Sequence, residues 1–182
     1  MTEDAGGPRP ILLEAVAAEI EAFAGQAGWD QPPTLYALVP TRTLAADPAA
    51  AALLDAAELA DIPAEAITPV AQEPLPARPL DEALARIGWP AEVVGCALCQ
   101  EIVLLPPSAE AEFADLAVEG AASRAADHPD RREARLVVAV LRGGQAAGIL
   151  RLRGTGDAPE DLLTGADLAP NLAAALAATL VD

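Results

Sequence analysis

"RLVVAVLRGGQAAGILRLRG", residues 135–154, decides the fold. From Leu136 to Leu141 every residue is apolar, Gly143 and Gly144 both tolerate positive φ, and a second apolar run begins at Ala146. The pattern predicts a strand, a tight turn and a returning strand. With a two-residue turn at Gly143-Gly144, Leu141 pairs with Ala146, Val137 with Leu150 and Arg135 with Leu152. One face of the hairpin then carries Val137, Ala139, Leu141, Leu150 and Leu152. The other carries Leu136, Val138, Val140 and Ile149, with Arg151 and Arg153 continuing the row as a basic edge.

Upstream, "EVVGCALCQEIVLLPP" (92–107) is apolar on both parities until Gln100 and Glu101, as expected of a central strand covered on both faces. "PTLYALVP" (33–40) is a short strand between prolines, and "ITPVAQE" (67–73) reads as an edge strand because Pro69 cannot donate to a ladder. Helical spacing sets Leu12, Leu13, Val16, Ile20 and Phe23 on one face of "PILLEAVAAEIEAFAGQAG" (10–28), with Glu14, Glu19 and Glu21 away from it. Shorter helices are expected at 47–60, 80–88 and 108–127, the last using Phe113, Leu116 and Val118. A final helix carries Leu168, Leu172, Leu176 and Leu180 behind an Asp167 cap. Strands mixed with helices in this order predict an α+β fold, a mostly antiparallel sheet of about five strands with helices packed largely on one face. A single domain over 1–182 is expected, with a proline-rich connector near 74–79.

Composition excludes more than it assigns. The formal net charge is −17 and the sequence holds no lysine, so its eleven basic residues are all arginine. An acidic chain repels phosphate backbones and anionic lipid, which argues against nucleic-acid partners. The longest uncharged run, "LAPNLAAALAATLV" (168–181), is too short for a membrane span, and "MTEDAGGPRP" at the amino terminus is acidic where a secretory signal is basic. A cytoplasmic location without membrane insertion is the expectation. Absent lysine removes the Walker-type phosphate loop, the kinase lysine and Schiff-base chemistry together. Seven arginines against three carboxylates lie in 124–153, whereas the other 152 residues carry four against 25. These arginines either pair internally with the acidic helices or form a binding face.

Other reactive groups read as structural. Cys96 and Cys99 form a Cys-x-x-Cys inside a strand, which sends the sulfurs to opposite faces and away from a metal-knuckle geometry. His128, the sole histidine, sits in "DHPD" as a helix terminator. Neither Ser108 nor Ser123, the only serines, lies in a nucleophile elbow. Asp157, Glu160, Asp161 and Asp167 lack calcium-loop spacing and read as a solvated acidic loop. No catalytic residue, metal or cofactor is assigned.

The segments "ALARIGWPAEVVGCAL", "AADHPDRREARLVVAVLRGG" and "LRLRGTGD" with "DLLTGADLAPNLAAALAATL" together resemble a family of small acidic actinobacterial proteins labelled after a propionibacterial locus. The resemblance spans the chain from about residue 80, and more loosely "LVPT" and "TPVAQEPLP". It implies a bacterial cytosolic protein and carries over no catalytic residue. The element order is also similar to secretion-chaperone-like folds, acidic dimers that hold partner polypeptides. The expectation is a non-enzymatic protein-interaction module of adaptor or chaperone type, binding a protein partner or itself as a homodimer. Its face would be Leu136, Val138, Val140 and Ile149 with Arg151 and Arg153 at the rim. The alternative is a small enzyme or ligand-binding protein in which Arg131, Arg132 and Arg135 clamp an anionic small molecule.

Overall fold

The structure is a computed structural model that describes residues 10–52, 55–76, 78–109, 124–155 and 160–181. Six antiparallel strands form one sheet in the order β2-β1-β3-β4-β5-β6. They are β1 (Thr34–Pro40), β2 (Ile67–Ala71), β3 (Gly95–Leu104), β4 (Arg132–Leu141), β5 (Ala146–Leu152) and β6 (Asp161–Thr164). The α+β class and the antiparallel sheet are as the pattern predicts. The sixth strand is the four-residue β6, inside the stretch expected to be an acidic loop. It is too short and too acidic at its start for a period-two signal to show.

The long helix α1 (Pro10–Gln26) lies over β4 and β5 on one face of the sheet. Three short helices, α2 (Thr41–Ala45), α3 (Pro48–Ala51) and α4 (Ala56–Asp61), follow β1, and α5 (Leu80–Leu84) precedes β3. The C-terminal α6 (Pro170–Ala178) packs against β3 and β4 from the opposite face. Helices therefore cover both faces, where the sequence pointed largely to one. On the α1 side, Leu13, Val16 and Ile20 meet Leu38, Val137 and Ile149. On the α6 side, Leu176 and Leu180 meet Leu98, Leu136 and Val138, with Leu84 of α5 joining them. Each such side chain, fully buried, contributes about 1.5–3 kcal/mol. The expected helix over 108–127, with Phe113, Leu116 and Val118, lies mostly outside the described residues.

The hairpin differs from the two-residue reading by one position, and the difference has consequences. Leu141 bonds to Gln145 and the register is Arg135↔Arg151, Leu136↔Leu150 and Val137↔Ile149, so the loop is the three residues Arg142-Gly143-Gly144. Only Gly144 adopts positive φ, at 84°, as in a type I turn closed by a left-handed residue. Arg142 begins the turn with its N–H still on the Val94 carbonyl (2.9 Å) beside β3, and its guanidinium reaches further. It donates to the carbonyls of Val93 (2.8 Å), Trp89 (3.2 Å), Pro90 (3.2 Å) and Leu180, tying the β4–β5 turn to the 89–93 loop and the end of α6. A one-residue slip moves every side chain of β5 to the other face. Ile149 and Arg151 thus belong to the α1 side, and Leu150 and Leu152 to the α6 side.

Both sheet edges are blunted. The Gln72 N–H donates to the Leu35 carbonyl and the Thr41 N–H to the Ala66 carbonyl across the β1–β2 pair, so the alternation turns residues 67, 69 and 71 outward, and Pro69 has no N–H to offer. On β6 the outward N–H of Leu162 is taken by the Asp161 carboxylate at 2.9 Å.

Candidate functional site

One polar cluster is built into the α1 face. The Glu21 carboxylate, on a residue 3% exposed, accepts from Arg135 Nη1 (3.3 Å) and from Arg151 Nε (2.6 Å) and Nη2 (2.8 Å). Arg135 is 2% exposed, also donates to the Gly28 carbonyl, and stacks on the Trp29 ring with its guanidinium carbon 4.5 Å from the centroid. Arg153 approaches the same ring at 5.2 Å and pairs with Glu133 (2.5 Å) and Asp30 (3.3 Å). Asp30 sits in the left-handed region, φ 67°, which brings its N–H and that of Gln31 onto the two oxygens of Glu101 at 2.9 and 3.1 Å. The chain from 28 to 31 is thereby folded down onto the sheet. Hydrogen bonds from Arg151 hold the Glu21 carboxyl below its ordinary value against the opposing effect of burial, and Arg135 adds to this.

Because α1 runs chiefly over β4 and β5, it covers Leu38 of β1 but leaves space between its C-terminal turns and the β1–β2 pair on the same face. Two clefts of about 380 and 470 Å³ occupy that space and share Phe23, Gln26, Tyr36 and Ala71 in their walls. Phe23 is 62% exposed, although it lies on the helix that buries Leu13, Val16 and Ile20. Tyr36 is 5% exposed and Cys99 7%, and both line the first cleft. Neither the Tyr36 hydroxyl nor the Cys99 thiol makes a hydrogen bond among the described residues. Burial raises the Tyr36 phenol and pushes the Cys99 thiol up to about 11, so both are neutral near pH 7. The charged groups in the walls are Glu19, Glu101 and the already committed Arg135.

A wider cleft of about 620 Å³ lies at the other end of the strands, walled by Pro40, Ile67, Val94, Leu141 and Gln145. Its one arginine, Arg142, is engaged with main-chain carbonyls; among the described residues that line the cleft, Glu65 is the one carboxylate and there is no hydroxyl, thiol or imidazole side chain.

The residues singled out in sequence are distributed differently from expectation. Leu136, Val138 and Val140 are 2–5% exposed and face α6, whereas Ile149, 3% exposed, faces α1. They do not form one surface. The chain's own helices cover them, and the register slip separates Ile149 and Arg151 from the other three. Arg151 and Arg153 are consumed by Glu21, Glu133 and Asp30. The arginine clamp is not assembled either. Arg131 is exposed, Arg132 alternates to the α6 side, and Arg135 is buried against Glu21. Among the described residues, Arg132 Nε and Nη2 are buried without a hydrogen-bond partner. Cys96 and Cys99 belong to different core clusters, one on each face, and both are free thiols. Cys96 instead contacts the Leu176 carbonyl and Thr179, whose hydroxyl also accepts from Trp89 Nε1 at 2.9 Å.

Sequence reasoning missed Glu21 and Phe23 together. Periodicity put the phenylalanine inside and the glutamate outside, and the structure reverses both. The signal available was Arg135, a charge at the head of an apolar strand row, which needs a buried carboxylate somewhere in the chain.

Residues 13–181 match the family model described as PPA1309-like protein. The chain belongs to this family. The matched span contains all six strands, α1 from Leu13 onward, and the cleft residues Phe23, Tyr36 and Cys99. No curated protein and no solved structure matches the chain. Among the described residues no helix is long and apolar enough to cross a membrane, and no group of three or more histidine, cysteine or acidic residues is arranged to hold a metal ion.

Proposed function

We propose that this chain is a non-enzymatic interaction module of adaptor or chaperone type, and that it holds an apolar, basic-flanked segment of a partner polypeptide in the cleft between α1 and the β1–β2 hairpin. The observation that carries the reading is Phe23, a large apolar side chain 62% exposed at the mouth of a cleft whose floor is sheet. An aromatic ring beside a concave apolar wall is the anchor pattern of polypeptide recognition. Charge selects the occupant. The cleft adds Glu19 and Glu101 to a chain of net charge −17, and Arg135 is spoken for by Glu21. A partner with arginine or lysine beside its apolar residues gains from this field, and a second copy of the same acidic chain is repelled. The partner is therefore another protein rather than self, in the cytoplasm of the cell that makes it.

The test places a photo-crosslinking amino acid at Phe23 in the native host, with a second variant carrying it at Gly143 in the distant β4–β5 turn. The reading expects adducts to a defined polypeptide from position 23 alone, mapped to an apolar segment flanked by basic residues. Adducts equal at both positions, adducts to acidic segments, or none at position 23 would sink it.

A further inference from the structure

We infer that the wider cleft, at the end of the strands away from Phe23, binds a small organic cation: a primary ammonium carried on an apolar body. The inference concerns a different site from the one proposed above and stands independently of it. Pro40, Ile67, Val94 and Leu141 give this cleft apolar walls, and its volume of about 620 Å³ suits a small molecule. Gln145, also in the wall, is the residue that points to a ligand. It stands opposite Leu141, whose N–H its main-chain carbonyl accepts at 2.9 Å, and alternation sets it on the sheet face of Ala147 and Ile149. Its Oε1 is buried and has no hydrogen-bond partner among the described residues. An acceptor kept from water and left unmatched carries its desolvation cost in full, a cost that an aliphatic side chain there would not incur. A donor seated in the cleft removes that cost, and the soft terminal torsion of glutamine lets the amide turn to meet it.

Charge specifies the donor. Glu65 is exposed at the rim and is the one carboxylate among the described residues of the wall. Arg142, the one arginine there, already donates to the main-chain carbonyls of Trp89, Pro90, Val93 and Leu180. An anion therefore meets a committed guanidinium in a chain of net charge −17. An ammonium gains twice, by an N–H on the Gln145 oxygen and by the field of Glu65. The apolar walls select the rest of the ligand. One carboxylate and one amide oxygen fall short of the oxygen cage that a bare hard cation needs, whereas an alkyl or aryl body buries surface against Ile67, Val94 and Leu141.

The experiment titrates three probes of similar size into the full ¹⁵N-labelled chain and follows amide shifts. Phenethylammonium carries charge and N–H donors, its trimethyl quaternary analogue carries charge alone, and 3-phenylpropionate reverses the charge. Phenethylammonium is expected to shift residues 65–67, Val94, and the main-chain and side-chain amides of Gln145. The quaternary analogue should bind about tenfold more weakly, the worth of a hydrogen bond to a charged donor, and the propionate should leave these signals in place. Three variants locate the effect. Gln145→Met keeps the length and removes the acceptor, so the preference for the primary over the quaternary cation should vanish. Glu65→Gln should weaken both cations about two- to fivefold. Ala64→Trp, at an exposed position in the wall, should fill the cleft and abolish the shifts. No shifts at the cleft in wild type, propionate binding as well as the ammonium, or shifts that persist in Ala64→Trp would overturn the site. A primary-ammonium preference that survives in Gln145→Met would overturn the assignment of Gln145 as its acceptor.

Discussion

Replacing Glu21 with glutamine removes one negative charge from between two guanidinium groups while keeping the side-chain length and one acceptor oxygen. The two arginines respond differently. The Arg151 side chain is 29% exposed and already lies 3.6 Å from Glu160, so it can turn to water and to that carboxylate. The Arg135 side chain is 3% exposed and cannot. Removing one partner of a buried pair costs about 3–5 kcal/mol. The Gly28 carbonyl and the Trp29 ring still receive Arg135, which sets the expectation at the low end, about 3 kcal/mol. With a urea m-value of about 2 kcal/mol per molar, the unfolding midpoint falls by about 1.5 M at pH 7. Linkage supplies the second arm. The Glu21 pKa is lowered by folding from the ordinary 4.5, so its stabilisation is complete above that value and is lost as the pH falls through the folded value. Wild type and Glu21→Gln should therefore converge in stability as the pH is taken well below 4.5. A midpoint shift of only a few tenths molar at pH 7, or a difference that survives in acid, would refute Glu21 as the counter-charge of this sheet face.

Gly144→Ala is expected to lose about 1 kcal/mol because φ is 84° there, while Gly143→Ala, at ordinary φ with open space around it, stays near neutral; paired urea melts distinguish them. Arg142→Met should lower stability by about 2–3 kcal/mol by orphaning main-chain carbonyls from Val93 to Leu180, and change the emission of nearby Trp89. Tyr36→Phe should leave the midpoint unchanged within about 0.5 kcal/mol, since no described residue receives its hydroxyl. The Cys99 thiol, raised by burial to about 11 from 9.0, should resist disulfide reagents near neutral pH. Because the folded value lies above the unfolded one, stability falls as the pH rises past 9.0 toward 11, an effect that Cys99→Ala removes from the alkaline melting curve.

The sheet was legible where apolar runs were long. β3 and β4 follow from unbroken apolar stretches, β2 from its proline, and the separation of Cys96 from Cys99 from parity alone. What escaped the sequence depends on side chains acting at a distance. A glycine pair permits either a two- or a three-residue loop, and the choice lies with Arg142, whose carbonyl partners sit 38 to 53 positions away. Periodicity ranked Phe23 and Glu21 the wrong way round. Their burial depends on which strands α1 crosses, a fact of packing rather than of helix spacing. The same holds for the cleft, which exists because one helix spans only part of a six-stranded sheet.

The three-residue turn bears on how the chain reaches its fold. The β4–β5 hairpin is local and either loop length satisfies its backbone, so it can zip early in both registers. In the two-residue register Arg151 lies opposite Leu136 and enters the leucine-rich layer beneath α6; in the native one it meets Glu21. Rejection of the wrong alignment thus falls to contacts separated by 114 and 130 positions in the chain, made only when α1 docks. Such a distant arbiter makes register selection a late, entropically expensive event. Glu21 acts in this sense as a proofreader of the hairpin, and a chain lacking it should refold through a trapped, misaligned population before it reaches the native sheet.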